Sequence, residues 1–276
     1  MQDTSAQSRV RVSKLRSILG CVFLVFWCLF GALVMLVAKG LNLRAADTFP
    51  LFFHGVMCRL FSIRCEVQGA IHTDSRTMYV SNHVSYLDVF VLGSLVEGAF
   101  VAKSEVAGWP VFGKLAKLQN TLFLERRSAR AADQIKQLRK HLDSDGNLIV
   151  FPEGTSTAGT DVARFRSSLF AAATDVIIQP ISVAYVEYEE QPMTQSERDH
   201  YAWYLPDPSQ PVPNEPFVSH FFNGMGLGRA TVKVIFHEPV GVPASDRKAC
   251  ALASERAVRQ GLEEALEIPS QMATVG

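Results

Sequence analysis

The stretch Tyr79-Val-Ser-Asn-His-Val-Ser-Tyr-Leu-Asp-Val-Phe90 changes its pattern at Asn82. The residues before this point have the apolar character of a strand, and residues 85–95 after it have the pattern of a helix. A strand that runs directly into a helix is typical of an α/β fold, in which the loops at the carboxyl ends of parallel strands form the ligand site. The junction therefore predicts both the fold class and a site that contains His83.

Asp88 has two interpretations at this junction. If Ser85 is the N-cap of the helix, Asp88 lies at the capping-box position three residues later and only stabilises the start of the helix. Alternatively, Asp88 accepts a hydrogen bond from one imidazole nitrogen of His83 and leaves the other nitrogen as a general base. Imidazole suits that role because its ordinary pKa of about 6.5 lies close to neutral pH.

The remainder of the chain continues this alternation. We expect strands at 77–81, 99–102, 121–124, 148–151, 176–186 and 231–236, and helices at 85–95, 129–142, 164–173 and 245–266. This order predicts an α/β domain at 65–276, with a mostly parallel sheet flanked by helices. Residues 187–228 are rich in Pro, Ser and aromatic residues, and we expect an irregular insertion there.

Residues 1–64 are expected to form a membrane anchor region. The segment from Ile18 to Ala38 has no charged residue and is long enough for a helix to cross a hydrocarbon core. A second apolar stretch at 49–63 has the character of an interfacial helix. Basic residues flank the first segment on both sides, so the sequence leaves open whether it spans the bilayer or belongs to a hairpin that dips into one leaflet.

Composition excludes several classes of function. The 276-residue chain has a formal net charge of zero, so nothing in its overall charge favours nucleic acid as a partner. The five cysteines lack metal-ligand spacing and suit free thiols in a reducing compartment. The histidines are dispersed, which disfavours a metal hydrolase, and Gly154-Thr-Ser-Thr-Ala158 does not match the G-x-S-x-G pattern of a serine hydrolase.

Two more strand ends carry polar groups that could join His83. In Leu148-Ile-Val-Phe-Pro-Glu-Gly-Thr155, an apolar strand runs into a turn that bears a carboxylate and a hydroxyl. The strand in Thr121-Leu-Phe-Leu-Glu-Arg-Arg127 is followed by two arginines, which bind phosphate or carboxylate through paired hydrogen bonds. We expect the three strand ends to converge at one edge of the sheet.

These residues resemble the motifs of a known family. Asn82-His83 followed by Asp88 resembles the NHX4D motif of the PlsC-type glycerolipid acyltransferases, and Phe151-Pro-Glu-Gly-Thr155 resembles their FPEGT motif. Phe123-Leu-Glu-Arg126 and Ile178-Gln-Pro-Ile181 are similar to two further family motifs, in the same order. The resemblance covers residues 65–265.

The family resemblance implies a reaction and a set of roles. An acyl group would pass from acyl-CoA or acyl carrier protein to the free hydroxyl of a lysolipid, with no metal or cofactor. His83 would be the general base and Asp88 would hold its tautomer. The residues implied in substrate binding are Asn82, Arg126, Glu153, Gly154 and Thr155, with Arg126 at the anionic headgroup. The enzyme would be a bacterial inner-membrane protein with its catalytic domain on the cytoplasmic face.

The acceptor is where the sequence departs from the family pattern. Ser156-Thr157 follow the FPEGT-like motif where many relatives have Arg-Ser, and Gln119-Asn120 replace a common glycine. By family frequency the expected acceptor is 1-acylglycerol-3-phosphate, which would give phosphatidic acid. Residues 165–170 and 202–204 are similar to bacterial acyltransferases that complete ornithine-containing lipids, so a lyso-aminolipid such as lyso-ornithine lipid is the alternative. A non-catalytic, membrane-anchored lipid-binding protein is the alternative from a different class.

Overall fold

The computed structural model of the chain describes residues 9–73, 76–125, 131–144, 146–204, 215–241 and 246–267. The strands are β1 (Ile63–Gln68), β2 (Thr77–Ser81), β3 (Ala99–Lys103), β4 (Leu122–Leu124), β5 (Leu148–Val150), β6 (Ile177–Tyr188), β7 (Gln191–Pro192) and β8 (Ala230–Phe236). The helices are α1 (Lys14–Gly40), α2 (Ala45–Leu60), α3 (Leu87–Gly93), α4 (Phe112–Leu118), α5 (Ala131–Asp143), α6 (Gln195–Arg198), α7 (Phe217–Gly226) and α8 (Arg247–Ala265).

The strands form one sheet in the order β1-β8-β6-β2-β5-β3-β4, with β7 paired to β6. Neighbours from β6 through β4 are parallel, and β1 is parallel to β8. The pairing of β6 with β8 is antiparallel, so the sheet is mixed although most of its ladders are parallel. Strand β2 lies between β5 and β6, which places Asn82 and His83 near the middle of the carboxyl edge.

Helices cover both faces of the sheet because the central strands bury both of their faces. Met78 and Val80 of β2 join one apolar cluster with α5 and α8, whereas Tyr79 joins a second cluster with α2, α3 and α7. Parallel strands buried on both faces are apolar throughout, which is why their sequences show runs rather than strict alternation. The predicted α/β fold class is confirmed.

The first two helices form a hairpin that packs on this second face. Trp27 of α1 stacks on Phe53 of α2, with ring centroids 5.6 Å apart. Gly31 permits this approach, since a Cβ at that position would lie 2.9 Å from the Phe53 ring. Within the described residues, α1 is the one helix long and apolar enough to cross a membrane.

Three expectations from the sequence need correction. The helix expected at 164–173 is limited to a short 3₁₀ turn at Leu169–Ala172. The backbone amides of Phe165 and Arg166 instead donate to Glu255 and to the Pro152 carbonyl, and these tertiary contacts accompany a non-helical path of the segment. The insertion at 187–228 is not wholly irregular, because it contains α6 and the ten-residue α7, which packs against α1. Finally, β1 begins at Ile63, within the region assigned to the anchor.

Candidate active site

The loop after β2 is fixed to its neighbour by Asn82. The Asn82 side chain is fully buried; its Nδ2 donates to the carbonyl of Val183 at 2.9 Å, and its Oδ1 accepts from the amide of Val183 at 2.8 Å. Both ends of the side-chain amide are therefore occupied by the backbone of β6. The sequence predicts that Asn82 contacts substrate, and this role stays a prediction. In the structure its side chain fixes where the next residue, His83, lies.

His83 and Asp88 form a hydrogen-bonded pair at this edge. His83 Nδ1 lies 2.9 Å from Asp88 Oδ2, and the same oxygen accepts from the amides of Val84 and Ser85 at 2.7 and 2.9 Å. Since Oδ2 is an acceptor for these amides, Nδ1 is the donor and Nε2 is left with its lone pair. The two interpretations of Asp88 thus coincide: one carboxylate holds the start of α3 and the imidazole.

Tyr185 is a residue that the sequence analysis missed. Its hydroxyl donates to Asp88 Oδ1 at 3.0 Å, and its ring is fully buried within β6. Burial raises the pKa of the Tyr185 phenol well above its ordinary value, so the hydroxyl keeps its proton. The Asp88 carboxylate is consequently held through both oxygens. The His83 side chain is 23% exposed, so it remains accessible from solvent. No motif marks Tyr185, and strand β6 contains other polar residues, among them Gln179, Ser182 and Tyr188, so the sequence offers no signal that singles it out.

Glu153 fixes the backbone of His83 through a hydrogen bond. Glu153 Oε1 accepts from the His83 amide at 2.8 Å, and Oε2 accepts from the Ala163 amide at 3.0 Å. The residue is 3% exposed, and burial raises the pKa of its carboxyl to about 8, an effect opposed by these two amides. The sequence analysis expected Glu153 to bind substrate. Its geometry favours a positioning role, because both oxygens already have partners inside the protein.

The segment 151–157 wraps around the histidine. The Phe151 ring stacks on the His83 imidazole with centroids 4.1 Å apart, and the Thr157 amide donates to the His83 carbonyl at 2.9 Å. Gly154 has a φ of +66°, a left-handed conformation that favours glycine. The expected convergence of the β2 and β5 ends is therefore present.

The remaining predicted binding residues have different outcomes. Thr155 is half-buried, and its Oγ1 makes a long contact of 3.4 Å with the Ser156 carbonyl. The Ser156 hydroxyl donates to the Trp203 carbonyl at 2.5 Å, which ties this loop to the insertion. Arg126 and Arg127 lie outside the described residues, so their expected role at the headgroup stays a prediction.

An apolar cavity of about 150 Å³ lies between the helices and the sheet beside this site. Its walls come from α1, α2, α3, α4 and α7 together with Phe100 of β3 and residues near them. Phe100 of the cavity wall stacks toward Phe151 at 6.4 Å, and Phe151 stacks on His83, so two aromatic rings lie between the cavity and the imidazole. The cavity wall is almost entirely apolar, as an acyl chain requires.

No cluster of three or more His, Cys, Asp or Glu side chains suited to a metal ion occurs among the residues that the structure describes. The polar groups that the structure brings together at the sheet edge are the His83 imidazole, the carboxyl groups of Asp88 and Glu153, and the Tyr185 hydroxyl. With one ring nitrogen held by a carboxylate and the other unpartnered among described residues, the arrangement can take a proton from a hydroxyl.

Comparison with known proteins gives consistent matches. A sequence profile described as Acyltransferase matches residues 62–184. A lyso-ornithine lipid O-acyltransferase of Brucella abortus is 36% identical over 234 residues, which cover 80% of this chain and 85% of that protein. A 1-acyl-sn-glycerol-3-phosphate acyltransferase of Neisseria gonorrhoeae is 32% identical over 114 residues, covering 41% of this chain and 45% of that protein.

The fold comparison agrees with the sequence comparison. The crystal structure of the 1-acyl-sn-glycerophosphate acyltransferase PlsC from Thermotoga maritima superposes with a TM-score of 0.63 at 21% identity, covering 92% of this chain and 96% of that one. The chain belongs to the PlsC-type glycerolipid acyltransferase family and is an O-acyltransferase.

Proposed function

We propose that this O-acyltransferase transfers a fatty acyl group from a thioester donor to the free hydroxyl of a lysolipid, with His83 as the general base. The observation that carries the proposal is the 2.9 Å hydrogen bond between His83 Nδ1 and Asp88 Oδ2, which leaves Nε2 free beside an apolar cavity. A lipid-binding protein without catalysis would need the cavity and not this pair.

In the first step, Nε2 of His83 takes the proton of the acceptor hydroxyl as its oxygen attacks the thioester carbonyl. The positive charge that develops on the imidazole is stabilised by Asp88 through Nδ1. Tyr185 and the amides of Val84 and Ser85 hold Asp88 in place. Proton transfer by a positioned base contributes about 10²- to 10⁴-fold to a rate.

In the second step, the tetrahedral intermediate collapses and its carbon–sulfur bond breaks. The sulfur leaves with the electron pair of that bond and takes the proton from Nε2, which returns the imidazole to its starting state. The products are an ester on the acceptor oxygen and the free thiol of CoA or acyl carrier protein. No covalent acyl-enzyme is needed.

The apolar cavity is the proposed site for the acyl chain. It lies among the helices of the N-terminal hairpin and the rings of α3 and α7, with Tyr86 in its wall three residues after His83. A chain bound there would place its thioester carbonyl at the edge of the sheet. Burial of each methylene contributes about 0.8 kcal/mol, which favours long chains.

The acceptor that the comparisons favour is lyso-ornithine lipid. Relatives named lyso-ornithine lipid O-acyltransferase align over 80% to 88% of this chain. Relatives named 1-acyl-sn-glycerol-3-phosphate acyltransferase align over 41% to 54% of it. The acceptor expected from family frequency, 1-acylglycerol-3-phosphate, remains the second candidate because the matched fold is that of a PlsC protein.

Helix α1 supplies the proposed membrane attachment. Its outward face is a continuous apolar surface that includes Phe26 and Leu29, which are 68% and 64% exposed. Both ends of the helix contact the catalytic domain: the Ser13 amide donates to the Gly226 carbonyl, and Lys39 Nζ donates to Asn120. A helix attached at both ends to one domain lies along a leaflet rather than across the bilayer. We place the domain on the cytoplasmic face, where thioester donors occur.

Acyl transfer by the purified full-length protein tests the proposed activity. Labelled acyl-CoA and acyl carrier protein would each be supplied with lyso-ornithine lipid or 1-acylglycerol-3-phosphate in mixed micelles. We expect label in the diacylated product of lyso-ornithine lipid above that of the second acceptor. No labelled lipid with any donor and acceptor, from protein that is folded, would contradict the proposal.

The membrane placement has a separate test. Phe26→Glu with Leu29→Glu should release the protein from vesicles at high salt, since both side chains point away from the domain. Leu252→Glu on α8, which is 48% exposed, is the matched control and should remain bound. Reporter fusions at the two chain ends should both be active in the cytoplasm; reporters on opposite sides would show that α1 spans the bilayer.

A further inference from the structure

Arg166 places a cation on the loop that surrounds His83. A Cβ on Gly154 would lie 2.7 Å from Cζ of Arg166 and 2.9 Å from its Nε, so the guanidinium rests directly on the Gly154 backbone. A larger residue at 154 would displace the Arg166 side chain. The positive φ of Gly154 independently favours glycine at this position.

The segment that carries Arg166 is fixed from two sides. The Arg166 amide donates to the Pro152 carbonyl at 3.0 Å, and the preceding Phe165 amide donates to Glu255 Oε2 at 2.9 Å. The Phe165 ring is 3% exposed and anchors the segment in the core. These contacts fix the backbone from which the Arg166 side chain extends over the loop.

The charge of Arg166 is not used within the described part of the chain, where no ion pair includes it. The nearby carboxylates have other partners. Glu153 accepts two backbone amides, Asp161 pairs with Arg259, and Glu255 accepts the Phe165 amide. Arg166 is also exposed, so an anion from solution can reach it.

Arg166 is a cation that the fold brings to the loop that contains Phe151-Pro-Glu-Gly-Thr155. The hydroxyl of Ser156, the next residue of this loop, donates to the Trp203 carbonyl. The guanidinium of Arg166 reaches the same loop from ten residues further along the chain. Its planar pair of N–H groups can bind a carboxylate or a phosphate with two parallel hydrogen bonds.

We propose that Arg166 is a specificity-determining residue that binds the anionic group of the lysolipid acceptor. The inference rests on the proposed function and adds the residue that reads headgroup charge. The anion is the carboxylate of an amino-acid lipid or the phosphate of a glycerophospholipid, two ligands of the same chemistry.

The test compares three acceptors that carry the same acyl chain: lyso-ornithine lipid, 1-acylglycerol-3-phosphate and uncharged 1-acylglycerol. For Arg166→Gln in the full-length protein, we expect kcat/KM to fall about 10- to 100-fold on the anionic acceptor that the wild type prefers, mainly through KM. On 1-acylglycerol it should change less than about two-fold. Arg166→Lys should recover part of the loss, and the exposed neighbour variant Arg164→Gln should behave as wild type.

Four results would overturn the inference. Equal loss on charged and uncharged acceptors would show a structural role for Arg166, and an unchanged kcat/KM on every acceptor would show no role. A loss as large in Arg164→Gln would show a general effect of surface charge. Wild-type protein that acylates none of the three acceptors would refute the proposed function itself, and this inference with it. The melting temperature of each variant separates these results from misfolding.

Discussion

Replacing Asp88 by asparagine preserves the shape of the side chain and removes its charge. The carboxylate accepts four hydrogen bonds, from His83 Nδ1, the amides of Val84 and Ser85, and the hydroxyl of Tyr185. An asparagine oxygen in the place of Oδ2 can keep the first three. Its amide nitrogen then faces the Tyr185 hydroxyl, which can rotate to accept. We therefore expect the Asp88→Asn protein to fold.

The loss of rate follows from the charge that Asp88 presents to the imidazole. Two unit charges about 4 Å apart interact by roughly 4 kcal/mol at an effective dielectric constant of about 20. Since about 1.4 kcal/mol is a factor of ten in rate, full imidazolium formation would be disfavoured by roughly 10³-fold. The proton is only partly transferred in the transition state, so we expect a loss of about 10²- to 10³-fold.

The assay is the initial rate of labelled acyl transfer to saturating acceptor. Asp143→Asn is the matched control, because this carboxylate is half exposed and pairs with Arg76 and Arg139 away from the site. The control should keep the wild-type rate. KM should change little in Asp88→Asn, because Asp88 is fully buried and contacts neither substrate.

An Asp88→Asn protein that melts like the wild type and retains more than about a tenth of its rate would refute this reasoning. It would show that Asp88 only caps α3, the simpler of the two interpretations of the sequence.

Three further predictions concern groups around this pair. Tyr185→Phe should lower kcat about 3- to 30-fold with an unchanged KM, because it removes one hydrogen bond to the charged Asp88. The control is Tyr201→Phe, which removes a hydroxyl that donates to the Gly228 carbonyl and should keep the wild-type kcat. Equal effects in the two variants would contradict the role of Tyr185. The raised pKa of Glu153 means that the folded protein binds this proton more tightly than the unfolded chain, so its stabilisation is full below about pH 4.5 and is lost as the pH rises to about 8. The melting temperature of the wild type should therefore decline between about pH 4.5 and pH 8, and that of Glu153→Gln should decline less. Identical dependence of the melting temperature on pH in the two proteins would contradict the raised pKa of Glu153. Ala116→Phe narrows the apolar cavity and should lower kcat/KM for long-chain donors more than for short ones; an equal effect on both would place the acyl chain elsewhere.

The fold was largely predictable because the sheet obeys one simple pattern. Buried parallel strands such as β2 and β5 appear as apolar runs that end in polar loops, and both were located to within one residue. Strand β1 was missed because Ile63–Gln68 follows two apolar helices without a break in composition. The helix prediction at 164–173 failed because the backbone of this stretch forms hydrogen bonds with distant residues. The local sequence pattern does not show such bonds.

The site was predictable where its residues are close in sequence. His83 and Asp88 are five residues apart, so a single helix start brings them together, and their contact is confirmed. Tyr185 and Arg166 reach the site from distant segments, and only the folded chain shows their contacts with Asp88 and Gly154.

The same limit applies to the predicted substrate-binding residues, whose contact with substrate stays a prediction. Asn82 and Glu153 carry polar side chains next to the histidine, which made them candidates for substrate contact. Their oxygens and nitrogens are instead used by backbone groups of Val183, His83 and Ala163. A sequence shows which groups can form hydrogen bonds, whereas the partner of each group depends on three-dimensional packing.

The most direct test of His83 as the base is the rate of acyl transfer by His83→Ala in vesicles that contain the acceptor. The imidazole lies at the surface of the site and not in the apolar core, so the variant should fold and bind vesicles like the wild type. We expect its rate to fall about 10²- to 10⁴-fold. A folded, vesicle-bound His83→Ala protein that keeps more than about a tenth of the wild-type rate would contradict the account, because another group would then have to take the proton.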